Sequence, residues 1–366
     1  MSVSPAELLR LHRELDGTSR TNKAGRFLSG WQTTHPYAGR YLNGTHVVAQ
    51  DPGTLQNYNF LSDSTSLTDA IRGFHAKADG VTYKRDAVYV SSGSSPLLLG
   101  FFLALKEMGV EEVCYVPPVY YSCYYFCDSL GIPMRQVSAD LLHSETAELD
   151  LPERRSALVL CDPIWVFGTT VHERQIEKIA QWQRRTGSLV LVDGTFQYTR
   201  WDRSSRAEPT SRLDRDLTFR LVSPTKSLAV HGTRFAYLLL PPELRETVRY
   251  ACANITGATS AANEHFARRI MEVLDSDESN DALVRHIQAE RDRLLDSGVI
   301  RAEAGLPEAG YYTFAVLDDA SMKDAIVMDQ RFFGLDRFDN HVRVNLLYPG
   351  WSQPEPCSAV CPVVKS

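Results

Sequence analysis

The sequence predicts an α/β protein: a large unit with a mostly parallel sheet between helices, joined to a smaller α+β unit. Three observations predict it. From residue 87 to residue 240, short apolar runs alternate with amphipathic stretches, which is the pattern of strands joined by helical crossovers. Such crossovers make neighbouring strands parallel and cover both faces of the sheet. After Pro241 the pattern changes to long helical stretches and then isolated strands. The length of 366 residues also exceeds one small core and fits a large domain plus a smaller one. The expected division is residues 60–240 for the large domain, and residues 1–59 with 241–366 for the small one.

Taken in order, Pro5–Leu15 reads as an amphipathic helix, followed by an irregular segment rich in glycine and aromatics (Trp31, Tyr37, Tyr41, Tyr58). Leu67–Ala78 reads as a helix capped by Ser64 or Ser66. Ala87–Val90 is a short strand, Ser91–Pro96 a turn, and Leu97–Met108 a helix that proline is placed to open. Strands follow at Glu112–Val116, Met134–Val137, Ala157–Cys161 and Ser188–Asp193, with helices at Tyr120–Leu130 and His172–Arg185. Leu217–Val222 and Phe235–Leu240 are strands flanking one lysine, Lys226. Glu243–Ala304 reads as strongly helical, including Asp281–Asp296, and Tyr311–Val316 and Val342–Leu347 as strands.

Composition narrows the function classes. Hydrophobic residues at 43% and charged residues at 23% are ordinary for a globular chain. A net charge of −6 with no basic run argues against nucleic acid as a partner. No apolar stretch reaches membrane-spanning length, and Met1–Gly30 lacks the apolar core of a signal peptide. The seven cysteines are an odd number, mostly on apolar runs, which points to a reducing cytoplasm rather than a disulfide framework. Cys357 and Cys361 in the tail would need two further ligands to hold zinc.

The chemistry-bearing residues fall in turns at strand ends, where open α/β sheets bind ligands. Lys226 has hydroxyls at Ser223, Thr225 and Ser227 around it, and Arg234 follows. A desolvated lysine attacks an aldehyde, and a guanidinium fork suits a phosphate. Taken alone, the stretch reads more readily as a solvated loop lysine and a surface arginine. Ser92-Gly93-Ser94 before a helix offers free N–H groups to a phosphate, or is a plain capping turn. Asp193 at the end of an apolar strand suits a protonated ring nitrogen, or caps a turn. Tyr120 suits stacking on a ring, or core packing. Arg343 is a lone charge in an apolar strand, facing either solvent or a substrate carboxylate.

The order and spacing of these residues resemble the class I/II aminotransferases, pyridoxal phosphate (PLP) enzymes of the aspartate aminotransferase fold (fold type I), over residues 58–347. The carrying motifs are Ser92-Gly93-Ser94, Pro118 with Tyr120, Asp193 with Phe196, Ser223 with Lys226 and Arg234, and Arg343 with Asn345. The resemblance implies that Lys226 forms a Schiff base with PLP and that Asp193 holds the pyridine nitrogen. It also implies that Tyr120 stacks on the ring, that Ser92, Gly93, Ser94, Ser223 and Arg234 hold the phosphate, and that Arg343 takes the carboxylate of an amino-acid substrate. A homodimer is expected, with Tyr58 the nearest match to a phosphate ligand reaching the partner's site.

Two positions depart from the family. Trp165 stands where an asparagine usually contacts the cofactor's phenolic oxygen, and Phe196 where a tyrosine does. Transamination is the leading expectation. The departures leave open elimination, replacement, decarboxylation or oxidation on the same cofactor. A non-catalytic binding protein is a further reading, opposed by intact Lys226 and Asp193. Thr195 or Tyr198 could replace the missing donors.

Overall fold

The computed structural model describes residues 4–21, 26–41, 64–202, 207–257 and 261–351. Ten strands position the site. In chain order β1 is Val88–Ser91, β2 Val113–Tyr115, β3 Met134–Gln136, β4 Ala157–Cys161 and β5 Leu189–Gly194. They continue with β6 Thr218–Val222, β7 Ala236–Leu239, β8 Ile300–Glu303, β9 Tyr312–Leu317 and β10 Val342–Asn345. The main helices are α1 Pro5–Thr21, α2 Thr65–Ala78, α3 Ser94–Glu107, α4 Tyr121–Leu130 and α5 Glu173–Thr186. Three more follow: α6 Arg245–Thr256, α7 Ala261–Asp275 and α8 Asp277–Asp296.

The first seven strands form one sheet in the order β1-β7-β6-β5-β4-β2-β3. All pairs are parallel except those of β7, which runs antiparallel to both β1 and β6. Every residue of β4, β5 and β6 is buried, as expected of strands covered on both faces. Each such Leu or Val removed from water contributes about 1.5–3 kcal/mol. Because β4, β5 and β6 are parallel neighbours, their carboxyl ends open on one edge. Cys161, Asp193 and the turn bearing Lys226 meet there.

The second sheet, β10-β9-β8, is antiparallel and carries Arg343 opposite Phe314. The segment 28–32 packs on β10: Asn345 donates its backbone N–H to Leu28 (3.0 Å) and its side-chain amide to Gly30 (3.1 Å) and Gln32 (2.6 Å). Just before it, Arg26–Phe27 pairs in parallel with Ala325–Ile326.

The predicted elements are present with shifted ends. α1 runs on to Thr21, α3 starts at Ser94 rather than Leu97, and Ser64, not Ser66, caps α2 by accepting from the Leu67 N–H at 3.2 Å. The helical reading of Glu243–Ala304 is corrected at its end. Gly298 adopts φ +72° after α8, and Ile300–Glu303 then pairs antiparallel with β9 as β8. The left-handed glycine ends the helix, and the sheet pairing overrides the helical propensity of the charged residues that follow.

Candidate active site around Lys226

Lys226 sits in a single helical turn, Pro224–Ser227, directly after β6. Its N–H donates to the Ser223 carbonyl at 2.8 Å, which closes the turn. The ammonium lies 5.2 Å from the Tyr120 ring centre and 5.6 Å from that of Phe196. Burial pulls its pKa down, Asp193 opposes this, and Arg234 adds to the lowering. More of the amine is therefore neutral and nucleophilic than for a solvated lysine.

Asp193, the penultimate residue of β5, is buried. It accepts the Thr195 N–H at 3.2 Å and has no ion-pair partner among the described residues. A buried carboxylate without a cation is costly unless a positive group arrives. Lys226 and Asp193 line one cavity of about 250 Å³. Tyr120, Trp165, Phe196 and Arg234, all expected at the site, line it too. Tyr120 precedes the first turn of α4, and Trp165 stacks on Phe196 at 6.1 Å with an interplanar angle of 19°.

The Ser92-Gly93-Ser94 turn stands beside Arg234. Gly93 has φ +144°, and a Cβ there would lie 2.5 Å from Arg234 Nη2. Only glycine combines that backbone with so close an approach. Arg234 itself is exposed and left-handed, at φ +45°. The free N–H groups at the start of α3 and a guanidinium thus share one spot, an arrangement suited to a phosphate. Ser223 is less direct. Its buried hydroxyl approaches Thr225 Oγ1 and the Phe235 carbonyl, both at 3.4 Å, and it does not wall the cavity.

Arg343 is completely buried, its guanidinium carbon 4.2 Å from the Trp31 ring centre, 4.7 Å from Tyr312 and 5.1 Å from Trp165. Nε donates to the Ser29 carbonyl at 3.0 Å, and Nη2 also donates to it, while Nη1 has no partner. Burial draws the pKa down to about 10. No carboxylate pairs with Arg343 among the described residues.

Sequence reasoning named Trp31 only as part of an aromatic segment and missed His231, Tyr311 and Tyr312, which also line the cavity. Tyr311 Oη and His231 Nε2 are 3.1 Å apart. Burial, then Lys226 and Arg234, hold the His231 pKa down at about 4, so the imidazole is neutral at pH 7. These residues gave little signal because strand β9 and the turn after Lys226 read as ordinary connections. Of the two hydroxyls expected to replace the missing donors, Thr195 lines the cavity. Tyr198 instead donates its hydroxyl to Asp79 at 2.9 Å in a buried cluster, and does not wall the cavity. Tyr58, Cys357 and Cys361 lie outside the described residues. The described residues contain no group of His, Cys, Asp or Glu fit to hold a metal.

Comparison with known proteins agrees with this geometry. A valine–pyruvate aminotransferase of Mycobacterium tuberculosis is 29% identical over 204 residues, 52% of this chain and 50% of the relative. The match therefore spans about half the length of that curated relative. The fold matches N-succinyldiaminopimelate aminotransferase of Mycobacterium tuberculosis at TM-score 0.73 and 20% identity, over 95% of this chain and 96% of the other. It matches substrate-bound BacF of Bacillus subtilis at TM-score 0.76 and 15% identity, over 95% and 94%. The chain thus has the fold type I architecture expected from its motifs. The family model described as aminotransferase class I and II matches residues 37–346, and the chain belongs to that family.

Proposed function

We propose that the protein transfers the α-amino group of an amino acid, with PLP as its cofactor. The observation that carries this reading is one cavity holding a desolvated lysine, a buried carboxylate with no ion-pair contact among the described residues, and an arginine set against a glycine turn. These residues fit the cofactor. Asp193 has a place for a ring N–H, and Arg234, Gly93 and the α3 N-terminus, with Ser92 and Ser94, have one for a phosphate. Ser223 shapes the Lys226 turn beside them.

When bound, PLP supplies an electron sink for cleavage of a bond at Cα. Lys226 would hold it and then move the proton at Cα through Nζ. Tyr120 would stack on the ring, and the aromatic walls would exclude water. Arg343, whose Nη1 has no partner, would take the substrate carboxylate. The residues 60–240 would form the cofactor domain, and the rest the smaller one. A homodimer, with Tyr58 reaching the partner's site, and a cytoplasmic location belong to the same reading. No described helix is long and apolar enough to cross a membrane.

Phe196 and Trp165 favour a second reading, because a phenyl ring has no donor for the cofactor's phenolic oxygen. On that reading the outcome is elimination, replacement, decarboxylation or oxidation. The test is to load the protein with PLP, reduce it with borohydride and map the label. Label on Lys226, absent from Lys226→Ala, is expected, and label elsewhere rejects the assignment. Incubation with single amino acids, with and without a keto acid, then separates the two readings.

A further inference from the structure

The end of β5 carries Asp193 into the cavity and the segment after it carries Phe196, and this stretch is held from behind by buried polar groups. Tyr198 has a left-handed backbone, φ +65°, unusual for so bulky a residue. Its N–H donates to Glu208 Oε1 at 2.5 Å, its carbonyl accepts from Asn280 Nδ2 at 3.2 Å, and its hydroxyl donates to Asp79 Oδ2. Next to it, Gln197 lies over Gly194, where a Cβ would meet its Oε1 at 2.5 Å. Ser227, beside Lys226, donates to the Gln197 carbonyl at 2.8 Å. Close to Glu208, Asp162 follows β4 and precedes Trp165. Its Oδ1 accepts the Val171 N–H at 3.1 Å, and its Oδ2 accepts Thr210 Oγ1 at 2.7 Å and the Thr210 N–H at 3.4 Å.

We propose that Glu208 is a positioning residue that works as a neutral carboxylic acid, fixing the Asp193–Tyr198 segment so that Asp193 and Phe196 keep their places in the cavity. The inference rests on reading that cavity as the PLP site. Two features place the proton on Glu208. Asp162 and Glu208 are both buried, and among the described residues Asp162 accepts from three donors while Glu208 accepts from one. Donors stabilise the ionised form, so of two neighbouring buried carboxyls the poorly served one stays protonated. The nearby cations do not change this assignment: Arg220 is already paired with Asp79 at 2.7 Å, and Arg200 acts on Glu208 less than Asp162 does. Burial, then the charge of Asp162, pushes the Glu208 pKa up to about 8, while Arg220 and Arg200 oppose the rise. The other titratable groups around the segment are His75, Tyr198 and Tyr237. Burial lowers the His75 pKa, against the pull of Asp79, and raises both phenols.

The sign follows directly. A carboxyl whose folded pKa lies above its unfolded value contributes stability that is whole below the unfolded pKa and is lost as pH rises through the folded one. Ionising Glu208 sets two like charges together in the core; the carboxylate relieves this by turning away from Asp162 towards water, which releases the Tyr198 N–H and loosens Asp193 and Phe196. Glutamine keeps the acceptor oxygen and cannot ionise, so it mimics the neutral acid.

The test uses the full chain, with and without PLP, as wild type, Glu208→Gln and Glu208→Ala. Without PLP, the melting temperature of the wild type should fall between about pH 5 and pH 9, and this fall should be smaller in Glu208→Gln. With PLP, the circular dichroism of the bound cofactor should weaken in the wild type with a midpoint near pH 8. In Glu208→Gln that midpoint should vanish or move up by about one unit or more. Glu208→Ala should weaken the signal at every pH. Equal pH dependence in wild type and Glu208→Gln overturns the proposal, as does a Glu208→Gln variant as impaired at pH 7 as Glu208→Ala. If PLP fails to attach to Lys226 in the wild type, the cofactor reading falls, while the stability comparison still decides the ionisation state of Glu208.

Discussion

Two buried arginines divide the molecule. Arg220, on β6, pairs with Asp79 at 2.7 Å and donates to Gln197 Oε1 at 3.0 Å and Tyr198 Oη at 3.1 Å. Arg343, on β10, is buried as deeply, yet it meets aromatic faces and one carbonyl, and its Nη1 has no partner. Burial lowers the pKa of both. Tyr198 and Asp79 push Arg220 back above its ordinary value, whereas Arg343 remains at about 10. A cation whose counter-charge is built in serves the fold. A cation buried without one is costly unless a ligand brings the charge, which is the role proposed for Arg343.

The largest effect should come from breaking the paired side. Asp79→Ala leaves Arg220 uncompensated and should lower the unfolding free energy by roughly 3–5 kcal/mol, measured by urea titration. A loss under about 1 kcal/mol would remove the contrast between the two arginines. On the other side, Arg343→Leu should weaken amino-acid binding by roughly 2–5 kcal/mol without lowering stability. Spectral titration of the PLP-loaded protein reads the first quantity and urea the second. A stability loss as large as that of Asp79→Ala would make Arg343 structural.

A smaller effect is expected at Gly93. Gly93→Ala forces a methyl group against Arg234 and should weaken PLP affinity about tenfold, or 1.4 kcal/mol. Unchanged affinity would take the phosphate away from that turn. The smallest effect concerns Phe196. Phe196→Tyr restores a donor towards the cofactor's phenolic oxygen and should lower the pH midpoint of the visible band by about one unit. A midpoint that rises or stays put would mean that another group, Thr195 foremost, already donates.

The contrast also explains what the sequence disclosed. Lys226, Asp193 and Tyr120 were legible because each follows or ends an apolar strand, and parallel strands bring their carboxyl ends together. Arg343 was legible as a charge where the pattern demands an apolar residue. The partners of Arg220 were not: Asp79 lies 141 residues away, and no local pattern joins them. The place of Tyr198, one of two hydroxyls that could replace the missing donors, was not legible for the same reason. Its distance from Asp193 suggested the cavity, but its left-handed backbone and the Asp79–Arg220 pair hold it in the cluster behind. The end of the long helical region was misread because charged, alanine-containing Ile300–Ala304 has helical propensity, and only pairing with β9 makes part of it a strand.

Trp31 lies 4.2 Å from the Arg343 guanidinium and is 41% exposed, so it packs on the buried charge while keeping part of its ring in solvent. Indole emission shifts with the electric field across the ring. Each arrival of an anion at Arg343 should therefore change the colour of this tryptophan's light, whatever the rest of the incoming molecule and before any bond is broken. The chain carries its own optical gauge of occupancy. Replacing Trp31 by phenylalanine would keep a ring over the arginine and leave only the share of the change that comes from Trp165, 5.1 Å from the same charge.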